Sequence, residues 1–374
     1  MRYIFFVFVQ IALGYALCHY AGRRVPGDQL LRKVLKWSVI AIPVLSIGLI
    51  LTTSLSGGST PELVTDLLFA EIYFATLFTL LDSATKCHYG RMTAILCLSL
   101  ILPVMIAGRR NVREPITTRY RIMLPDEKPS DSVRIALVTD IHLGDLFGEE
   151  HLARMEQMIK QASPDYVFIG GDLIDRDLSE VDTLSAANHF AHLRDKVQGL
   201  YFVLGNHEYY GDLDENVQWI SSLGTLLRDS VVKLRPSLYL IGRDYYKALD
   251  KDVVPLSSLA EQVPDGSTSI LLQHRPREHW ERDPEVSGID LTLTGHTHAG
   301  QIFPMQILQP LLFSHNYGCH PSGDGTVIIS SGYGASTSRL RIGSRSEIVV
   351  VDLYFKGYIS PDRANGKARS LHFT

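Results

Sequence analysis

VRIALVTDIH, residues 133–142, is six residues of mostly apolar, strand-forming sequence closed at once by Thr139, Asp140 and His142. Such a run predicts a buried strand whose carboxyl end carries groups able to hold a metal or a proton. The arrangement recurs at 166–169 before Gly170, Gly171 and Asp172, and at 200–204 before Gly205, Asn206, His207 and Glu208. It appears twice more, at 269–272 before Gln273, His274 and Arg275, and at 290–293 before Thr294, Gly295, His296, Thr297 and His298.

Between these runs lie helical stretches at 149–162 and 181–196, a rhythm that predicts an α/β sheet with buried strands. In such sheets the functional loops gather beyond the carboxyl ends of the strands. Five polar clusters at five strand ends can therefore converge on one pocket, although they span more than 150 residues of sequence.

Taken singly, these residues are ordinary. An Asp after a strand caps a helix, Gly-Asp makes a turn, and a lone His such as His274 is usually a satisfied polar group. Asp-x-His and Gly-His-x-His carry more information, because residues two apart in an extended segment point the same way. Collected, Asp140, His142, Asp172, Asn206, His274, His296 and His298 supply two carboxylates, one amide oxygen and four imidazoles. That donor set suits zinc, iron, manganese and similar ions rather than calcium or magnesium. Seven ligands exceed the ordinary coordination of one ion, so two ions sharing a bridging carboxylate is the economical count.

In this order, Asp140-Ile-His142, Gly171-Asp172, Gly205-Asn-His-Glu208, His274 and Gly295-His-Thr-His298 resemble the signature of the calcineurin-like metallophosphoesterases. The resemblance covers residues 133–355. The fuller strings GGDLIDRD (170–177), GNHEYY (205–210), LLQHRP (271–276) and GHTHAGQIFP (295–304) are similar to a bacterial branch often joined to membrane segments. Some members of that branch hydrolyse UDP-2,3-diacylglucosamine in lipid A synthesis. The resemblance implies an α/β (α+β) fold of two packed mixed β-sheets flanked by helices, and two divalent ions, Mn, Zn or Fe. It assigns Asp140, His142, Asp172 and His298 to the first ion and Asp172, Asn206, His274 and His296 to the second, with Asp172 as the bridge. It also implies a bacterial inner-membrane location and makes His207 the catalytic histidine that steadies the transition state or protonates the leaving oxygen. The stretches 314–324 and 336–346 match no substrate type.

Two adjacent cations held by such a set would supply an activated water and neutralise phosphoryl charge, which predicts direct attack of water on phosphorus. No Gly-x-Ser-x-Gly elbow or motif cysteine suggests a covalent intermediate. Asp175 and Glu208 are expected to orient ligands or form salt bridges. Arg275, Arg339 and Arg341 are candidates for gripping a substrate phosphate, with Arg275 and Arg341 preferred.

The balance of 36 basic and 40 acidic residues in 374 gives no bulk pull toward nucleic acid, and no nucleic-acid partner is expected. Cys18, Cys87, Cys97 and Cys319 are scattered and form no CxxC pair, which argues against a disulfide framework or zinc knuckle.

Most long apolar runs precede Arg109. Those at 3–20, 38–55, 63–81 and 92–107 each approach the roughly 20 residues that cross a bilayer core. A transmembrane module of about four spans over 1–108 is expected, then a Pro-containing linker at 109–131, the catalytic domain at 132–357 and a tail at 358–374. The first run could be a signal peptide, but Arg2 is its only early positive charge and no small-residue cleavage site precedes Arg23. The third holds Asp66 and Glu71, carboxylates costly near mid-membrane. They leave open a second function class, a transporter or sensor with a metal-binding extramembrane domain. Arg23, Arg24, Arg32, Lys33 and Lys36 place the first loop in the cytoplasm, whereas Arg109, Arg110 and Arg113 draw the catalytic domain there too. The two signs conflict for four spans, and the side of the membrane stays open. The anchor points to membrane lipids as partners and to a lipid-linked phosphate-ester substrate.

Overall fold

The computed structural model describes residues 90–124, 131–144, 147–245, 254–276, 288–303, 305–309, 313–336 and 338–355. Two compact units divide the chain, one of residues 1–110 with 337–342 and one of 111–336 with 343–374. Helix α1 (Gly90–Arg113) is 24 residues long with Pro103 inside it. It exposes Met92, Ile95, Leu96, Leu100, Leu102 and Ile106. Among the described residues no helix is long and apolar enough to cross a membrane. The fourth expected span, 92–107, falls within α1, and the other three lie outside the described residues.

The elements that follow are β1 (Ile116–Met123), β2 (Asp131–Val138), α2 (Glu149–Ala162), β3 (Tyr166–Gly170), α3 (Thr183–Arg194), β4 (Gly199–Val203), α4 (Leu213–Leu223) and β5 (Thr225–Leu226). Then come β6 (Ser230–Arg235), β7 (Leu238–Gly242), α5 (Leu256–Ala260), β8 (Thr268–Leu272), β9 (Leu291–Thr294), α6 (Met305–Leu308), β10 (Gly318–Ser322), β11 (Gly325–Ile329) and β12 (Glu347–Phe355). They form two six-stranded mixed sheets, in the orders β1-β12-β2-β3-β4-β5 and β10-β11-β9-β8-β7-β6. Each strand expected from the five apolar runs is present, as β2, β3, β4, β8 and β9.

Side-chain alternation explains the layering. Ile135 and Leu137 of β2, with Phe168 of β3, enter one buried cluster with Leu240, Ile270, Leu272 and Leu293 of the other sheet. Their neighbours Ala136, Val138, Val167 and Ile169 face the opposite way, onto Leu152, Met155 and Ile159 of α2 and Phe190 of α3. Leu271 of β8 turns outward onto Leu256 and Leu259 of α5. Both faces of the central strands are thus buried, which is why the sequence shows continuous apolar runs there.

The helices are locally specified. Asp182 caps α3 by accepting from Ser185 N, and Asp212 caps α4 by accepting from Glu215 N. Glu149 and Glu150 begin α2 and Lys160 ends it, which suits the helix dipole.

The linker expected at 109–131 is corrected by β1, which pairs in parallel with β12 from Ile116 with Glu347 to Met123 with Tyr354. Its alternating exposure leaves Ile122 as its one buried residue, so the segment resembles a surface connection until its partner is known.

Candidate metal centre

The strands β2, β3 and β4 run parallel in the first sheet, as do β7, β8, β9 and β11 in the second. Their carboxyl ends carry the expected residues. Asp140, Asp172, His274 and His296 each lie two positions beyond the last strand residue. Four of the strand-end ligands reverse the chain in the left-handed region, Asp140 at φ 55, His142 at φ 55, Asp172 at φ 50 and His296 at φ 71. His298 joins them at φ 51. Such backbone costs a non-glycine residue about 1 kcal/mol or more, and its concentration at one locus is typical of a site that must aim side chains.

The loops after β2 and β3 then run side by side, with Asp140 N donating to Gly171 O at 3.0 Å and His142 N to Asp172 O at 3.0 Å. His296 N donates to the Asp140 carboxylate at 3.1 Å, tying the end of the second sheet to the end of the first.

All seven expected ligands come together. The donor atoms of Asp140, His142 and His298 lie within 4.8 Å of one another, as do those of Asp172, His274 and His296. His142 Nε2 faces His298 Nε2 at 3.2 Å, and His298 Nε2 lies 3.5 Å from Asp140 Oδ1. Asp172 Oδ2 stands between the groups, 3.9 Å from His142 Nε2 and 3.2 Å from His274 Nε2. His274 decides the chemistry. Its Nδ1–H donates to Gly170 O at 2.9 Å, which turns Nε2 toward Asn206 Oδ1 at 3.2 Å, His296 Nδ1 at 3.1 Å and Asp172 Oδ2. These acceptors hold a proton on Nε2 when no metal is bound, and a divalent ion, which takes the same place among them, fits this imidazole and carboxylate set.

Residues 133–300 match the model of the calcineurin-like phosphoesterases. This part of the chain is similar to that family. A metallophosphoesterase of Helicobacter pylori is 33% identical over 232 residues, covering 61% of this chain and 61% of the relative. A Danio rerio protein named a transmembrane protein with metallophosphoesterase domain is 32% identical over 274 residues, covering 68% of this chain and 62% of the relative. The chain thus spans 61% and 62% of the length of these two relatives. The 5'-nucleotidase precursor of Thermus thermophilus aligns with a TM-score of 0.36 at 13% identity, over 60% of this chain and 55% of that one, too distant to carry an argument. Neither relative's name specifies a substrate.

The cluster of candidate ligands already draws positive charge. Burial works against ionising Asp172, but the imidazoles of His274, His207 and His142 outweigh it and hold its pKa well below the ordinary carboxylate range. Burial also opposes the charge on His274, yet Asp172 prevails and raises it to about 9. Burial and the neighbouring His274 charge drive His296 down to about 3. Two facing nitrogens cannot both keep a proton.

His207 is aimed from two sides. Its Nδ1–H donates to Asp175 O at 2.5 Å and lies 3.1 Å from the Asp175 carboxylate. Its Nε2 points into the cluster, 3.9 Å from Asp172 Oδ2. Burial disfavours its charged form, but contacts with Asp175 and Asp172 push its pKa to about 9. Asp175 also lies 3.2 Å from His142 Nδ1, as an orienting acid should. Glu208 does something else. It touches no ligand imidazole, and its buried carboxylate accepts from the backbone N–H groups of Asp172 at 3.1 Å, Gly205 at 2.6 Å and Ile174 at 3.1 Å.

Arg275 sits 5.7 Å from the Phe313 ring, and its charge contributes to holding down His296. Arg341 is wholly buried, with its N–H donating to Gly108 O, and a guanidinium without solvent exposure offers a substrate nothing. Sequence reasoning missed Tyr210, whose hydroxyl accepts from Asn206 Nδ2 at 3.0 Å. It lies four residues on, inside GNHEYY. The loop at 332–334 was missed as well: Gly334 N donates to Asp140 O at 2.7 Å, and Gly332 at φ +82 passes so close that a Cβ would stand 2.8 Å from Asp140 Cβ.

Gly205 is needed for space. A Cβ there would stand 2.2 Å from Asp172 Oδ1. Gly205→Ala is expected to displace that carboxylate, cutting bound metal per chain and costing about 1–3 kcal/mol of stability. Elemental analysis and urea denaturation check both, and wild-type metal content in the variant would count against the close packing.

Proposed function

We propose that the chain is a membrane-anchored, dinuclear-metal phosphoesterase that hydrolyses a phosphodiester or pyrophosphate bond. The observation that carries this reading is Asp172 Oδ2 placed between the His142 and His274 rings, with both ligand groups around it. Asp140, His142, Asp172 and His298 would hold one ion, and Asp172, Asn206, His274 and His296 the other. Such ions would supply Lewis acidity toward phosphoryl oxygens and an activated water.

The protein's own groups do the rest. Glu208 and Asp175 hold the ligand backbone and rings so that little reorganisation is needed. His207, fixed through Nδ1, presents Nε2 to the cluster, where it donates a proton to the departing oxygen. Arg275 supplies a positive charge for a second phosphate oxygen. His207→Ala is expected to lower turnover about 10²- to 10⁴-fold with bound metal unchanged. If activity and metal fell together, His207 would be a structural or metal-holding residue.

Support for the anchor comes from the apolar runs at 3–20, 38–55 and 63–81 and from the name of the Danio rerio relative. An anchored site meets amphiphilic molecules at raised local concentration. A lipid-linked nucleotide such as UDP-2,3-diacylglucosamine is therefore the favoured substrate class. The decisive test assays the purified chain with manganese or zinc against a phosphodiester, a phosphomonoester and UDP-2,3-diacylglucosamine. Fastest turnover of the lipid-linked nucleotide is expected, turnover of the phosphomonoester alone would overturn the substrate class, and no hydrolysis of any of the three would overturn the enzyme.

A further inference from the structure

The helices covering the first sheet carry a second group of metal-ligating side chains, none of which belongs to the centre above. His189 and His192 lie three positions apart on α3, hence on one helix face. Both turn Nδ1 toward Glu156 of α2: His189 Nδ1 contacts Oε2, and His192 Nδ1 lies 3.3 Å from Oε1. His189 Nε2 meets Glu149 Oε1 at 2.9 Å. Donor atoms of Glu156, His189 and His192 all fall within 4.8 Å of one another. Glu156 is 7% exposed, so its charge is largely withdrawn from water and needs partners. Lys160 Nζ is one of them, on Oε1.

We propose that this cluster binds one borderline divalent transition-metal ion, of the zinc class, through Glu156, His189 and His192, clipping α2 to α3. Imidazole nitrogens with a carboxylate form a characteristic zinc donor set, a fourth position remains for water, and Glu149 on Nε2 orients the His189 ring from behind. The ligands sit on two regular helices and are already gathered by hydrogen bonds, so little ordering is required when the ion enters. Lys160 is the competitor, because the ion takes the carboxylate oxygen it now holds. The clip has a structural consequence. Helix α2 follows the loop bearing Asp140 and His142, and α3 follows the loop bearing Asp172.

Lys160 also separates this proposal from a plain ion network. In a network, the ammonium only neutralises Glu156 within α2, so removing it brings no gain in zinc affinity. In a metal site, it relieves repulsion and tightens ion binding.

The test strips the full-length protein with a chelator, reloads it with zinc and measures zinc per chain and the affinity of each equivalent. Wild type is expected to hold one equivalent more than His189→Ala/His192→Ala. The comparison is a difference between two chains with the same Asp172 cluster, so it stands whatever that cluster binds. Lys160→Met is expected to bind the additional equivalent about tenfold more tightly, and His192→Gln about tenfold more weakly. The His192 side chain is 61% exposed, so His192→Gln tests the site even if the double variant fails to fold. Equal zinc in wild type and double variant, unchanged affinity in His192→Gln, or weaker binding in Lys160→Met overturns the proposal.

Discussion

Asp172→Asn is expected to reduce hydrolysis of a chromogenic phosphodiester at least about 10³-fold, equivalent to about 4 kcal/mol of lost transition-state stabilisation. The substitution is nearly isosteric. Asp172 Oδ1 accepts from His207 N at 2.9 Å, a bond an Asn oxygen can keep, so the loop after β3 retains its anchor. What disappears is the negative charge lying 3.2 Å from His274 and 3.9 Å from both His142 and His207. Without it, the cluster loses the carboxylate that would lie between two cations and offset their repulsion, and metal per chain is expected to fall together with activity. Activity within tenfold of wild type would remove the bridging carboxylate from the mechanism. A domain that merely binds metal would show no wild-type hydrolysis to lose.

The second large effect is structural. Glu208→Ala is expected to destabilise the protein by about 3 kcal/mol or more, because three buried N–H groups lose their acceptor together. Two of them belong to Asp172 and Gly205, the residues that set the ligand loops, so metal content should fall in the same variant. Glu208→Gln separates charge from hydrogen bonding. Its carbonyl oxygen can serve the N–H groups of Asp172 and Gly205, but its amide nitrogen then confronts the N–H of Ile174. Some compensation comes from easing the pressure on Glu208, whose pKa burial and the neighbouring Asp172 charge raise. An intermediate urea midpoint for Glu208→Gln is expected. A Glu208→Ala midpoint equal to wild type would show that water or a shifted loop replaces the carboxylate.

Glu208 also marks where sequence reading reached its limit. Its position in Gly205-Asn206-His207-Glu208 announced a functional loop, and its acidity suggested an orienting group for imidazoles. Asp175 does stand against two ring nitrogens, but Glu208 holds backbone. Nothing in residue type separates those roles, since a carboxylate accepts equally from a ring N–H and a peptide N–H. Arg341 failed for a related reason: charge suggested an exposed phosphate grip, whereas packing encloses it completely.

The five apolar runs, their polar ends and the order of the motifs were legible because they are local. A buried strand must be apolar along its length, and a ligand must follow within two or three residues to reach beyond its carboxyl end. Chain order alone therefore determined the α/β class, the seven candidate ligands and the metal-binding chemistry. Only the tertiary structure decided that Ile116 pairs with Glu347 in a segment that reads as linker, and that Gly332 and Gly334 wall the Asp140 loop. The same is true of the left-handed turns at Asp140, His142, Asp172, His296 and His298. These features depend on contacts between residues far apart in sequence, and their cost is met by packing around them, which no local pattern encodes.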